Sequence, residues 1–162
     1  YYRSKFNCRR RKNYMVIGEI KTFRHAGIVV SNINTASKIF KNYFGLKLLI
    51  KQKVVNGSYI SKLVGINNAK IKISVFSSAD KTKYELLEYI SQKGKKKIPL
   101  KSNNIGLSHL SLTVKNIDKL YKNKKKYNVQ FVSPPIINKE GNVKVSYVKI
   151  MDEIILELVE EL

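Results

Sequence analysis

A chain of 162 residues, 43% of them hydrophobic, is long enough for one domain or for two small modules sharing a core. It has no apolar run approaching the roughly 20 residues that a bilayer span needs, which excludes a transmembrane helix, and its single cysteine, Cys8, excludes an intrachain disulfide. The formal charge of +21 brings anionic partners into view. Lys, Asn, Ile and Tyr are abundant together, as an AT-rich coding sequence would write them, and runs such as Lys95 to Lys97 and Lys124 to Lys126 read as solvated faces. No nucleic-acid motif or alternation of aromatics with arginine accompanies the charge, so nucleic acid is a partner left open but not favoured.

In chain order, residues 1–22 form a basic leader. All five arginines (Arg3, Arg9, Arg10, Arg11 and Arg24) fall within the first 24 residues, and no acidic residue precedes Glu19. Such a segment is similar to the remnant of an organellar transit peptide, which gives two expectations for location, the cytoplasm or a mitochondrion or plastid. A first module is expected over residues 23–90. Its elements are a strand after His25 and a helix capped by Asn32 or Asn34, which carries Ala36, Ile39, Phe40, Tyr43 and Phe44 and is stopped by Gly45. Strands follow at residues 46–55, 70–76 and 83–90, with a short helical or irregular piece at 58–64. Residues 91–106, with Gly94 and Pro99, read as a linker. A second module over residues 107–162 repeats the order, with strands at 107–114, 129–132, 143–150 and 154–159 and a helix at 118–127. Residues 154–161 also fit a short amphipathic helix.

The repeat is visible residue by residue. "HAGIVVSNIN" from His25 parallels "HLSLTVKNID" from His109, and "ELLE" from Glu85 parallels "ELVE" from Glu157, so that His precedes Glu by 60 residues in one half and by 48 in the other. The fold class expected is α+β, with two βαβββ modules forming a curled mixed sheet around a metal site. A histidine heading the first strand and a glutamate on the last can converge in each module, because neighbouring strands lie only about 4.8 Å apart. The chain has two histidines, and both hold the same place in the repeat. Glu85 and Glu157 share a strand face with Leu87 and Val159, where an unpaired charge would be costly; Glu88 and Glu160 fall on the opposite face and read as solvated. Two imidazoles and two carboxylates suit a divalent Zn, Ni, Co, Mn or Fe ion and disfavour thiolate-seeking ones.

With these motifs in order, the chain resembles the vicinal oxygen chelate superfamily of glyoxalases, bleomycin resistance proteins and extradiol dioxygenases. The resemblance rests on "HAGIVVSNINTASKIFKNYFGLKLL", "YELLEY", "GLSHLSLTVKNIDKLYKNKKKYNVQFVSPP" and "ILELVEEL", and it runs from about residue 23 to the C-terminus. It implies a metal held by His25, Glu85, His109 and Glu157. One departure is "IMDE" from Ile150, where the family usually has an Asp-Pro-x-Gly turn. The four-ligand set is closest to glyoxalase I-like (lactoylglutathione lyase-like) enzymes. It implies a lyase or isomerase in which Glu157 or Glu85 moves a carbon-bound proton next to a carbonyl, in an anionic substrate of the glutathione- or CoA-conjugate class, within a homodimer. Two alternatives stand beside it. One is a methylmalonyl-CoA epimerase-like isomerase, and the other is a non-catalytic binding or assembly module that uses the basic surface.

Overall fold

The computed structural model describes residues 20–95, 103, 105–106 and 109–162. The leader, apart from residues 20–22, and much of the linker lie outside the described residues. Two mixed sheets carry the fold. In the first, β1 (Ala26–Val29), β2 (Lys47–Asn56), β3 (Lys70–Ser77) and β4 (Lys83–Tyr89) are arranged in the order β1-β4-β3-β2. In the second, β5 (Leu110–Thr113), β6 (Gln130–Phe131), β8 (Val143–Ile150) and β9 (Ile154–Glu161) follow the order β5-β9-β8-β6, with β7 (Ile136–Asn138) also paired to β8. Each module pairs its first and last strands in parallel and its remaining strands antiparallel. The mixed α+β architecture is thus the one expected from the repeat. Residues 154–161 are strand, because Ile155, Leu156 and Leu158 are needed as core in an extended ladder with β8.

One core joins the modules. Ile28, Ile33, Phe40, Tyr43, Phe76 and Leu86 from the first belong to the same buried cluster as Ile117, Val148, Leu156 and Leu158 from the second. Helix α1 (Ile33–Lys38) begins at Asn32, whose side chain accepts the Thr35 amide at 3.0 Å. It then widens into a π-turn over Ile39–Tyr43, and this turn was not legible as such in the 3.6-residue periodicity. Ala36, Ile39, Phe40 and Tyr43 are all buried, the i, i+3, i+4, i+7 face by which the helix packs on the core. Gly45 then takes φ +71°, the left-handed conformation that ends helices cheaply only at glycine. Across the module boundary the Tyr43 hydroxyl donates to the Leu120 carbonyl at 2.8 Å, and its ring lies 5.0 Å from Phe44 and 5.1 Å from Tyr127.

A short helix, α2 (Ser58–Val64), joins β2 to β3; the helix of the second module, α3 (Ile117–Asn123), is shorter than expected and passes into a 3-10 turn over Lys124–Tyr127. Within it, Lys124 is not simply solvated: its ammonium sits 3.4 Å from the centroid of the Tyr121 ring. The strand expected at 129–132 shrinks to two residues, and β7 was not anticipated. It is a three-residue edge strand, exposed throughout, with no burial alternation to announce it.

Glu88 and Glu160 correct the reading that made them solvated. The Glu88 carboxylate accepts the Ile33 amide at 3.0 Å, and Glu160 accepts the amides of Asn116 and, at 3.1 Å, Ile117. Each therefore caps the start of its own module's helix from the last strand, satisfying amides that have no partner inside the helix and placing negative charge at the positive helix end. Asn116, at φ +59°, offers no side-chain cap of its own, so α3 depends on Glu160. Replacing Glu160 with alanine is expected to cost about 2 kcal/mol, the scale of losing charged hydrogen bonds to the amides of a helix start. Urea denaturation beside the neighbouring Glu161→Ala, expected within about 0.5 kcal/mol of wild type, measures it.

Candidate metal centre

The parallel pairing of first and last strands sets the site. In the first module β1 runs beside β4 with Gly27 opposite Glu85, so His25, two residues earlier, projects from the same sheet face at the strand head. Its Nε2 lies 3.4 Å from Glu85 Oε2. In the second module Ser111 lies opposite Glu157, and His109 Nε2 is 3.5 Å from Glu157 Oε2. The repeat thus holds at the level of register. Each imidazole and each carboxylate is partly open to solvent, with side-chain exposures of 41% and 25% in the first pair and 29% and 24% in the second.

These separations are long for a charge-assisted hydrogen bond, which closes to about 2.7–2.9 Å. They match the spacing of two donors on one ion: a nitrogen and an oxygen each about 2.1 Å from a tetrahedral centre stand about 3.4 Å apart. The donor chemistry therefore fits a divalent ion.

The chain brings together His25 with Glu85 and His109 with Glu157, but not the two pairs with each other. Among the described residues no group of three or more His, Cys, Asp and Glu side chains lies close enough to hold a metal. Each pair sits on the sheet face turned away from the shared core. On those faces Val29, opposite Leu87, is 57% exposed, and Ile136, opposite Val145, is 62% exposed.

The two half-sites differ in one residue that sequence reasoning missed. The residue opposite Glu85 on β3 is Val75, whereas the residue opposite Glu157 on β8 is Tyr147. The Tyr147 hydroxyl is 3.5 Å from His109 Nε2, and the two rings meet edge to face at 4.9 Å. Its signal is the ten-residue offset before each glutamate, which becomes readable only once the hairpin register is known. The departing turn "IMDE" also finds a role. Asp152 and Glu153 adopt left-handed conformations at φ +60° and +59°. The Asp152 carboxylate accepts the Ser31 amide of the other module at 2.8 Å, and Glu153 pairs with Lys149 at 2.9 Å. The strain of two consecutive left-handed non-glycine residues is offset by these contacts, and they fix where β9 and Glu157 begin.

A family model described as the Glyoxalase/Bleomycin resistance protein/Dioxygenase superfamily matches residues 24–147. No curated protein matches the chain. Among solved structures, a glyoxalase family protein from Bacillus cereus is similar with a TM-score of 0.82 at 20% identity, covering 92% of this chain and 99% of that one. A glyoxylase/bleomycin resistance protein/dioxygenase domain from Frankia sp. EAN1pec is similar with a TM-score of 0.63 at 15% identity, covering 89% and 100%. A mutant of the fosfomycin resistance protein FosX from Listeria monocytogenes, complexed with Mn(II) and 1S,2S-dihydroxypropylphosphonic acid, is similar with a TM-score of 0.56 at 16% identity, covering 89% and 95%.

Proposed function

The chain belongs to the Glyoxalase/Bleomycin resistance protein/Dioxygenase superfamily, and from that premise we propose that it is a divalent-metal lyase or isomerase of the glyoxalase type, with each site completed by two copies of the chain. The observation that carries this reading is the recurrence of one His–Glu pair per module, at 3.4 and 3.5 Å, on uncovered sheet faces. His25, Glu85, His109 and Glu157 would hold the ion. Two copies related by a two-fold axis would bring the first-module pair of one against the second-module pair of the other, twice over, and bury apolar residues such as Val29 and Ile136 that the single chain leaves open. The FosX relative, seen with Mn(II), supports a divalent ion in a fold of this kind.

A divalent ion bound there would supply Lewis acidity to a substrate oxygen beside the reacting carbon. The protein's own part is proton movement and positioning. A carboxylate, Glu157 or Glu85, takes the carbon-bound proton next to the carbonyl and returns it to the neighbouring or the same carbon; the first outcome is a glyoxalase-type rearrangement and the second an epimerisation. Tyr147 packs its ring against His109 and restricts the imidazole to one orientation. The substrate class is an anionic thiol conjugate, of glutathione or CoA.

Divalent-metal content of the purified chain, followed by assays on the methylglyoxal–glutathione hemithioacetal and on methylmalonyl-CoA, tests the proposal. The expected result is about one ion per pair of His–Glu half-sites and turnover of one substrate, reduced by about 10²–10⁴-fold in Glu157→Gln. A chain that takes up no divalent ion would overturn it.

A further inference from the structure

Beyond the His–Glu pairs, one cavity differs from the rest of the lysine-rich surface. It has a volume of about 580 Å³ and is lined by Lys47, Lys81 and Lys83 with Ser77, Ser78 and Leu49 among its walls. It lies at the end of the first sheet where His25 and Glu85 sit. Lys83 shares the strand and face of Glu85, two residues and so about 7 Å away; Ser77 is opposite Lys83 in register, and Lys47 is opposite Ser77. The row from the metal half-site to the edge of the sheet is thus a row of cations and hydroxyls.

None of the three ammonium groups has a carboxylate partner among the described residues. The one acid in the adjoining turn, Asp80, is already engaged: its carboxylate accepts the hydroxyls of Ser78 and Thr82, the latter at 2.8 Å, and the Thr82 amide at 3.1 Å. Those bonds hold its pKa below the ordinary carboxylate value, so it stays charged and turned into its own loop. The equivalent place in the second module is built differently. There Lys149 stands opposite Ile155 where Ser77 stands opposite Lys83; Ile155 is buried and Lys149 is neutralised by Glu153 at 2.9 Å. A compositional drift toward lysine would load both modules alike, whereas the uncompensated cluster occurs beside one half-site.

We propose that this cavity, walled by Lys47, Lys81 and Lys83, is an oxyanion subsite that takes the phosphate groups of a substrate tail while the reacting end lies at the metal half-site. The second clause rests on the function proposed above, and the first stands without it. Lysine is a point-charge ligand suited to phosphate, and converging uncompensated cations in a cleft raise the local concentration of such anions. Glutathione fits less well, because its tail brings an ammonium along with its carboxylates and the lining offers that ammonium no free acid. Within the conjugate class, the cavity selects phosphate-bearing tails of the CoA kind.

The test is calorimetric titration of the metal-free full chain with pyrophosphate, ADP and glutathione. Pyrophosphate and ADP are expected to saturate, with affinity falling tenfold or more in Lys83→Gln and Lys47→Gln and less than twofold in Lys122→Gln and Lys125→Gln, which remove the same charge elsewhere on the surface. Glutathione is expected to bind at least tenfold more weakly than either. Equal losses in all four variants, or no saturation, would overturn the subsite in favour of a diffuse field, and tighter binding of glutathione would overturn the assignment to phosphate. Metal uptake is measured separately. His25→Ala is expected to leave pyrophosphate affinity within twofold, so a chain that binds no metal would remove the proposed reaction and leave this result standing.

Discussion

Mixing a His25→Ala chain with a His109→Ala chain is expected to recover about a quarter of wild-type metal content and turnover, although each variant alone is inactive. The number follows from two-fold symmetry. Random reassortment makes about half of the dimers mixed, and in each mixed dimer one site collects both alanines while the other collects none, so about one site in four is intact. Alone, each variant is expected to lose at least about 100-fold in metal affinity, since removing even an outer-shell partner of a ligand costs 10- to 100-fold. His25 pairs with Glu85, and His109 with Glu157, yet the four do not form one group within the chain. Co-expression or denaturation and refolding of the mixture, followed by metal analysis and assay, gives the measurement. A mixture as inactive as its components would show that no site is shared between copies.

The separation of the two His–Glu pairs within the chain marks the limit of what the sequence could tell. The histidines and first glutamates were legible because a duplicated module repeats its spacing, and a period-2 strand fixes which residues share a face; His25, Glu85, His109 and Glu157 all follow from those two regularities. Strands β3, β4, β8 and β9 were legible for the same reason, since their apolar residues alternate against one covered face. What escaped depends on contacts between elements far apart in the chain. Glu88 and Glu160 look like exposed strand residues until the helix start is laid across the strand end. Tyr147 is one aromatic among ten tyrosines until the register sets it opposite Glu157. Nor does the pattern separate Lys47 and Lys83 from the other lysines; the absence of a counter-charge is a property of the fold.

Replacing Phe40 with alanine is expected to destabilise both modules together by about 3–5 kcal/mol, the range for emptying a buried phenylalanine site. Phe40 is 2% exposed, and its ring centroid lies 6.0 Å from Phe44, 5.8 Å from Phe76 and 6.3 Å from Tyr84. The neighbours that would wall the vacated space are largely aromatic rings, which cannot refill it without moving. Its effect reaches the second module because the cluster it anchors continues into Ile117, Val148 and Leu158, and because the neighbouring Tyr43 spans the boundary to Leu120 and Tyr127. Chemical denaturation followed by hydrogen exchange at amides of β4 and of β9 separates the possibilities. Equal loss of protection in both strands, within one transition, is the result a shared core requires. Loss confined to β4, with β9 as protected as in wild type, would mean that the second module is stable by itself and that the two half-sites are carried on independent units.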